Sequence, residues 1–168
     1  MKHKKIAYGG IFAALNVILV CAAAYAPTSK AALLFVSSLN SYAVSALFGT
    51  RTALMTYAAS AALSALLVMS ASPGTCILYI AVLGIYPILR FAAGKKRIAV
   101  RSALKAAYFC VCIAAVYAAV RAFKIKLPDI GIPTAAAAVT AAIAFVLYDM
   151  LIGYAGDFFV SYLKRIKK

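Results

Sequence analysis

The chain has 168 residues, of which 67% are hydrophobic and 12% are charged, and its mean hydropathy is +1.00. Soluble domains are about half apolar and about a quarter charged, and a short chain has too little interior to bury such an apolar surplus. The composition therefore excludes a soluble enzyme, a nucleic-acid-binding domain, a disordered chain and a disulfide-stabilised scaffold. It predicts an integral membrane protein.

The charge is strongly one-sided, because 18 Lys and Arg oppose three acids and give a net charge of +15. The basic residues lie in short runs between apolar stretches, as the cytoplasmic anchors of membrane proteins do. A metal site is not expected, because the single His is His3 and because Cys110 and Cys112 point to different faces of a helix. We expect neither a metal nor a cofactor.

Six apolar runs are long enough to cross a bilayer as helices, which takes about 20 residues each. Their Ala-rich composition, without alternation of polar and apolar residues, argues against a membrane β-barrel. We therefore predict an all-α membrane protein with a single six-helix domain over residues 1–168. The predicted spans are Ile6–Tyr25, Ala31–Phe48, Thr52–Met69, Cys76–Gly94, Ser102–Val120 and Thr134–Tyr154.

The distribution of Lys and Arg predicts that both termini are cytoplasmic. In that orientation 14 basic residues lie in inner segments, and only Lys30, Arg121, Lys124 and Lys126 lie in outer ones. The N-terminus also resembles a signal peptide with an A-x-A site within Ala22–Ala26, but its apolar run of about 20 residues exceeds a typical signal core. We interpret it as a retained first helix.

Polar residues recur on single faces of the second and third predicted helices, at every fourth position. They predict either a hydroxyl-lined seam between two antiparallel helices, with Ser45 near Thr56 and Ser37 near Ser64, or a hydrophilic pathway. The residues of the two stripes are Ser37, Ser41 and Ser45, and Thr52, Thr56, Ser60 and Ser64.

Asn16 and Asn40 each lie about ten residues from a helix end, near the middle of the bilayer. A buried amide in hydrocarbon needs a partner, since an unsatisfied one costs several kcal/mol. The two amides therefore either bond to each other or to the backbone, or they line a ligand pocket.

Charged residues inside the predicted spans are candidates for a functional or structural role. Asp149 is the acid that lies deepest in a span, and Arg90 near the cytoplasmic end of the fourth helix is its natural partner. We predict a buried ion pair, with a proton or cation relay as the alternative. Arg97, Arg101 and Lys105 share one face at the start of the fifth helix and predict anchors to anionic lipid, or a docking surface for a cytoplasmic partner.

The first helix carries two pairs of small residues at a spacing of four, which favours close packing of another helix. This helix begins with Ile6–Leu15, the second closes with Ser45–Gly49, and the third opens with Arg51–Leu54. With these residues the chain resembles the substrate-binding S components of energy-coupling factor (ECF) transporters, which are six-helix proteins with both ends inside. The resemblance implies a small-residue docking motif in the first helix, here formed by Gly9, Gly10, Ala13 and Ala14.

The resemblance also implies a function. Such a protein lies in the bacterial cytoplasmic membrane and binds a small solute from outside, such as a vitamin or another anionic micronutrient. It delivers the solute by docking on a transmembrane coupling subunit that two cytoplasmic ATPases drive, and the absence of a GxxxxGK[ST] loop agrees with an ATPase on other chains. The alternative is a non-transporting membrane scaffold, for example of cell-wall synthesis machinery. An enzyme is not expected, because one His and three scattered Asp supply no acid–base pair.

Cations in the outer segments favour an anionic solute, because positive residues are normally depleted there. Lys30 and the planar guanidinium of Arg121 suit a carboxylate or phosphate. The alternative is that Arg121 satisfies the C-terminus of the fifth helix as a cation and that Lys124 and Lys126 are solvated loop residues. Aromatic walls and a polar floor complete the predicted pocket. Its residues are Tyr25, Lys30, Asn40, Tyr79, Tyr117 and Arg121.

Overall fold

The computed structural model describes residues 2–26, 28–94, 98–122 and 134–166. These residues form helices joined by short turns, so the predicted all-α class is confirmed. A π-helical segment (Tyr79–Leu83) lies between α4 and α5. The α-helices are α1 (Lys2–Tyr25), α2 (Lys30–Phe48), α3 (Thr50–Val68), α4 (Pro73–Leu78), α5 (Tyr86–Ala93), α6 (Ile98–Ala122) and α7 (Thr134–Ile166).

Five helical stretches of the described chain are long and apolar enough to cross a membrane, as a multi-pass membrane protein requires. The helix α6 coincides with the fifth predicted span, but the side chains of its last residues lie outside the described part of the chain, so six spans and their orientation stay predictions. The five stretches are Ile6–Tyr25, Lys30–Phe48, Thr50–Val68, Pro73–Ala93 and Ala142–Tyr162.

The predicted fourth span over Cys76–Gly94 coincides with the stretch Pro73–Ala93, but this stretch is not one regular α-helix. The chain forms α4, then the π-helical segment, then a turn at Gly84 and Ile85 before α5 begins. Pro87, near the start of α5, lacks the backbone N–H of a regular helix, which weakens the ladder at this point. Hydropathy alone conceals such a break, because every residue from Tyr79 to Leu83 is apolar or aromatic.

The last helix is longer than predicted. The sequence suggested an end at Tyr154, where the apolar run meets Gly156 and Asp157, but α7 continues to Ile166. Asp157 is therefore a helical residue, one turn beyond Gly153 and two turns beyond Asp149 on the same face. This extension places both carboxylates of the described chain on one stripe of α7.

The helices α2 and α3 are joined by the single residue Gly49, whose φ is +92°. Residues with a Cβ rarely adopt this backbone conformation, so glycine is needed here for the sharp reversal. Its N–H donates to the carbonyl of Ser45 at 3.1 Å, and this bond closes the last turn of α2. The two helices are consequently antiparallel neighbours, as predicted for a three-residue connection.

The helix α1 packs against both α2 and α3, and α7 packs against α2. One apolar cluster surrounds Tyr79, which is fully buried. Large apolar side chains cover the outer faces of α1, α3 and α7, where a membrane protein contacts lipid. The cluster around Tyr79 comprises Val20, Ala23, Leu34, Val68 and Cys76.

Candidate functional site

Of the six predicted substrate-binding residues, the four whose side chains the structure describes do not line one common pocket. Tyr25 is 75% exposed at the end of α1, and Lys30 is exposed at the start of α2. Asn40 and Tyr79 are buried, but each is bonded within the helix bundle. The side chains of Tyr117 and Arg121, like the loop with Lys124 and Lys126, lie outside the described residues.

Tyr79 serves as a packing residue rather than as an accessible wall. Its ring fills the apolar cluster between α1, α2, α3 and α4, and its hydroxyl lies 2.8 Å from the Ser60 Oγ atom. Next to this cluster lies the Ser64 hydroxyl, which is fully buried and has no hydrogen-bond partner among the described residues.

The two central amides form a hydrogen-bonded cluster between α1 and α2. The Asn40 amide donates to the Asn16 Oδ1 atom at 2.8 Å and to the Phe12 carbonyl at 3.1 Å. Ser37 donates to the same Oδ1 atom at 3.0 Å, and the Asn16 amide donates to Ser41 at 3.2 Å. Of the two interpretations of the sequence, the arrangement is that of mutually bonded amides, which hold the helices in register.

Most hydroxyl groups in the stripes of α2 and α3 donate hydrogen bonds to backbone carbonyl groups of their own helix. Ser45 donates to the Ser41 carbonyl at 3.0 Å, and Thr56 donates to the Thr52 carbonyl at 3.0 Å. Serine and threonine commonly bond to the preceding turn in this way inside membrane helices. The stripes thus supply small surfaces on which α1 can pack closely, and Ser37 in addition bonds to Asn16 of α1.

Carbonyl groups freed by the π-helical segment accept hydrogen bonds from side chains of four surrounding helices. A π-helical stretch disrupts the regular i→i−4 ladder and is frequent at functional sites. In a membrane, irregular backbone is tolerated where protein groups satisfy it or where it lines a cavity. The bonds are Tyr57 to Ile80 (2.7 Å), Tyr108 to Ala81 (2.7 Å) and Val82 (3.1 Å), Cys112 to Ala81 (3.4 Å), and Ser38 to Leu83 (2.8 Å).

Tyr148 of α7 completes this set, because its hydroxyl donates to Ser38 at 2.9 Å and lies 3.4 Å from the Leu83 carbonyl. Gly84 permits the close approach of Tyr57, since a Cβ there would lie 2.5 Å from the Tyr57 Cε2 atom. We call the π-helical segment with these donors the hydroxyl cluster. It consists of Tyr79–Leu83 together with Ser38, Tyr57, Tyr108, Cys112 and Tyr148.

The ion pair predicted between Arg90 and Asp149 is present as a contact between α5 and α7. The Arg90 Nη1 atom bonds to the Asp149 carboxylate and also to the Asp149 carbonyl oxygen. Tyr86 donates to the same carboxylate at 2.5 Å. The side chains of Arg90 and Asp149 are 12% and 16% exposed, so water screens the pair only weakly.

Lys105 is a partner of Asp149 that the sequence analysis assigned to lipid contact. Its ammonium group bonds to the second carboxylate oxygen, and its side chain is 26% exposed. Two cations therefore share one carboxylate. The position of Lys105 in the sequence could have indicated this ion pair. Lys105 lies about two turns inside α6, which is deep for a residue that anchors the helix to lipid headgroups. Arg97 lies outside the described residues.

The small residues of α1 divide between two faces. Gly9 and Ala13 are buried, and a Cβ on Gly9 would lie 3.2 Å from the Thr56 Oγ1 atom of α3. Gly10 and Ala14 are exposed, with no atom within 4 Å of a Cβ built on Gly10. The first pair therefore packs inside the chain, and the second faces outward.

Comparison with protein-family models, with curated proteins and with solved structures gave no match. The functional inference therefore depends on the geometry of the helices and on the residues themselves.

Proposed function

We propose that the chain is the solute-binding S component of an ECF transporter in the bacterial cytoplasmic membrane. In this role it binds a small solute and docks on a transmembrane coupling subunit driven by cytoplasmic ATPases. The observation that carries the proposal is the outward-facing pair Gly10 and Ala14 on α1. The resemblance of the first three helices to such subunits supplies the identity of the partner.

The exposed pair Gly10 and Ala14 lies in a stripe of α1 that has large side chains at both ends. Ile6 and Ile18, which are 72% and 63% exposed, lie one turn before Gly10 and one turn after Ala14. Large residues at both ends and small ones between them form a shallow notch. In a membrane a notch of this kind lets a second helix approach the backbone closely, and van der Waals packing then stabilises the pair.

The hydroxyl cluster supports the solute-binding part of the proposal. Membrane transport proteins often place substrate sites at discontinuous helices, where unwound backbone carbonyls are available to a ligand. Here the break between α4 and α5 lies among tyrosine hydroxyls that can exchange partners with a polar solute. Preference for an anionic solute at Lys30 and Arg121 remains a prediction from the sequence.

Docking is tested by enlarging the notch residues. Ala14→Leu and Gly10→Leu should each reduce co-purification of the coupling subunit at least tenfold, because a bulky side chain holds the partner helix away from the backbone. Ala22→Leu is the matched control, since Ala22 is also exposed on α1 but lies in its other half. Unchanged co-purification of both notch variants would exclude α1 as the docking helix.

Solute binding is tested separately from docking. The purified chain should retain a small molecule that mass spectrometry detects after denaturation, and the Ala14→Leu variant should retain it equally. A membrane scaffold would instead bind partner proteins and release no such molecule. A protein that repeatedly purifies without any bound solute, and that takes up none from a mixture of vitamins, would contradict the proposed function.

A further inference from the structure

A shallow groove of about 550 Å³ runs along α7 from Met150 to Ser161 and is bordered by Arg90 of α5. It contains one cationic and one anionic side chain, Arg90 and Asp157, together with exposed apolar and aromatic groups. A surface that combines both charges with an apolar face is unusual at a membrane boundary, and it lies apart from the docking notch on α1 and from the hydroxyl cluster.

Two glycines of α7 give the groove its shape. A Cβ on Gly153 would overlap the Arg90 guanidinium, so the absence of a side chain lets Arg90 lie against α7. A Cβ on Gly156 would lie 2.6 Å from the Tyr42 ring, and Tyr42 in turn donates to the Asp157 Oδ1 atom at 2.8 Å. Both charged groups are thus held in place by contacts across helix interfaces.

Arg90 and Lys105 face two carboxylates, Asp149 and, farther along α7, Asp157. Arg90 and Lys105 share the single negative charge of Asp149, as described above. A phosphate that approaches along the groove can interact with Arg90, because guanidinium groups bind phosphate through directed hydrogen bonds. Asp157, which is exposed on the same helix, would repel a second anion and attract a cation instead.

Both charged groups of the groove approach the level of lipid headgroups, because Arg90 lies near the end of the stretch Pro73–Ala93 and Asp157 near the end of the stretch Ala142–Tyr162. The helix has 33 residues and is therefore about 50 Å long, whereas the hydrocarbon core is about 30 Å thick. Tyr154, Phe158 and Tyr162 are 86%, 71% and 56% exposed on the part of α7 that precedes the basic C-terminal residues. Exposed aromatic residues followed by Lys and Arg mark the membrane interface.

We propose that this groove binds phosphatidylethanolamine, whose headgroup carries a phosphate and a primary ammonium. The phosphate interacts with Arg90, the ammonium donates to the Asp157 carboxylate, and the acyl chains extend along Met150 and Phe158. Phosphatidylcholine offers the same phosphate but no N–H donor, and phosphatidylglycerol has no cation to pair with Asp157. The site therefore distinguishes the three lipids by their headgroups.

Lipid quenching of tryptophan fluorescence tests the proposal, and the chain is suited to it because it contains no Trp. The Phe158→Trp variant places one reporter in the groove. The Tyr8→Trp variant is the control, since Tyr8 is 49% exposed near the start of α1, away from the groove. Each variant is reconstituted in phosphatidylcholine vesicles, and brominated phosphatidylethanolamine, phosphatidylcholine or phosphatidylglycerol with identical acyl chains is added at equal mole fraction.

We expect the relative association constant at the Phe158→Trp reporter to be about threefold higher for phosphatidylethanolamine than for phosphatidylcholine, as is typical of an exposed charge pair. The Tyr8→Trp control should respond equally to both lipids. The proposal would be overturned if phosphatidylethanolamine and phosphatidylcholine quenched the Phe158→Trp reporter equally, as they should quench the control. Stronger quenching of the Phe158→Trp reporter by phosphatidylglycerol than by phosphatidylethanolamine would also overturn it.

A second pair of variants assigns the recognition to the carboxylate. In the Phe158→Trp background, Asp157→Asn should abolish the preference for phosphatidylethanolamine. Tyr42→Phe removes the hydrogen bond to Asp157 but keeps its charge, so the preference should persist. Circular dichroism shows that each variant is folded. Retention of the preference by a folded Asp157→Asn variant would contradict the role of the carboxylate.

Discussion

The guanidinium of Arg90 occupies the space that the missing side chain of Gly153 leaves on α7. From that position it bonds to both the carboxylate and the backbone carbonyl of Asp149, one turn earlier on the same helix. A charged residue is thus brought against a helix backbone inside a predicted membrane span. The contact is permitted by a glycine and compensated by an acid, and it joins α5 to α7.

The first prediction concerns that glycine. Gly153→Ala should lower the free energy of unfolding by about 1–3 kcal/mol, because the new methyl group collides with the guanidinium and forces it or α7 to move. Gly10→Ala is the control, since nothing lies within 4 Å of its Cβ and alanine favours helix formation. Thermal unfolding in detergent should therefore show a loss for Gly153→Ala alone. Equal unfolding temperatures would show that the guanidinium does not lie there.

The second prediction concerns the shared carboxylate. Asp149→Asn leaves the largely buried Arg90 and the half-buried Lys105 without their counter-charge and should destabilise the protein by about 3–5 kcal/mol. Arg90→Gln in addition should recover part of the loss, and Lys105→Met as a third change should recover more. The comparison is a mutant cycle followed by chemical unfolding. Strictly additive effects of the three changes would mean that the charges are not coupled.

The third prediction concerns the hydroxyl cluster. Tyr57→Phe removes the donor to the Ile80 carbonyl, which then lies buried without that hydrogen bond, and should cost about 1–3 kcal/mol of stability. The ring that packs on Gly84 is unchanged, so the effect isolates the hydroxyl. Tyr154→Phe is the control, because Tyr154 is 86% exposed and should change stability by less than about 0.5 kcal/mol. Similar effects of the two changes on unfolding in detergent would contradict this role.

The fourth prediction concerns topology. With the four native cysteines replaced, Ala71→Cys in the turn between α3 and α4 should react with an impermeant maleimide added to intact cells, because Ala71 is exposed and lies outside under the predicted orientation. Lys96→Cys should react only after the cells are permeabilised. Labelling of the second variant in intact cells would reverse the orientation or change the number of spans.

The sequence by itself determined the membrane class and the helical secondary structure. An apolar run of about 20 residues cannot be buried in a small soluble fold, and in lipid its backbone must satisfy itself as a helix. The same physics identified the pairing of Arg90 with Asp149, since a buried acid needs a cation and few were within reach. Single-residue chemistry and hydropathy were sufficient for these conclusions.

Only the tertiary structure decided how similar residues divide their roles. Gly9 and Gly10 are adjacent and identical, yet packing of α3 buries one and leaves the other exposed. Lys105 joined Asp149 because of the way α6 packs, and the π-helical segment formed because donors on four other helices satisfy its carbonyls. Such outcomes depend on partners that are distant in sequence, and the hydropathy of a segment carries no information about them.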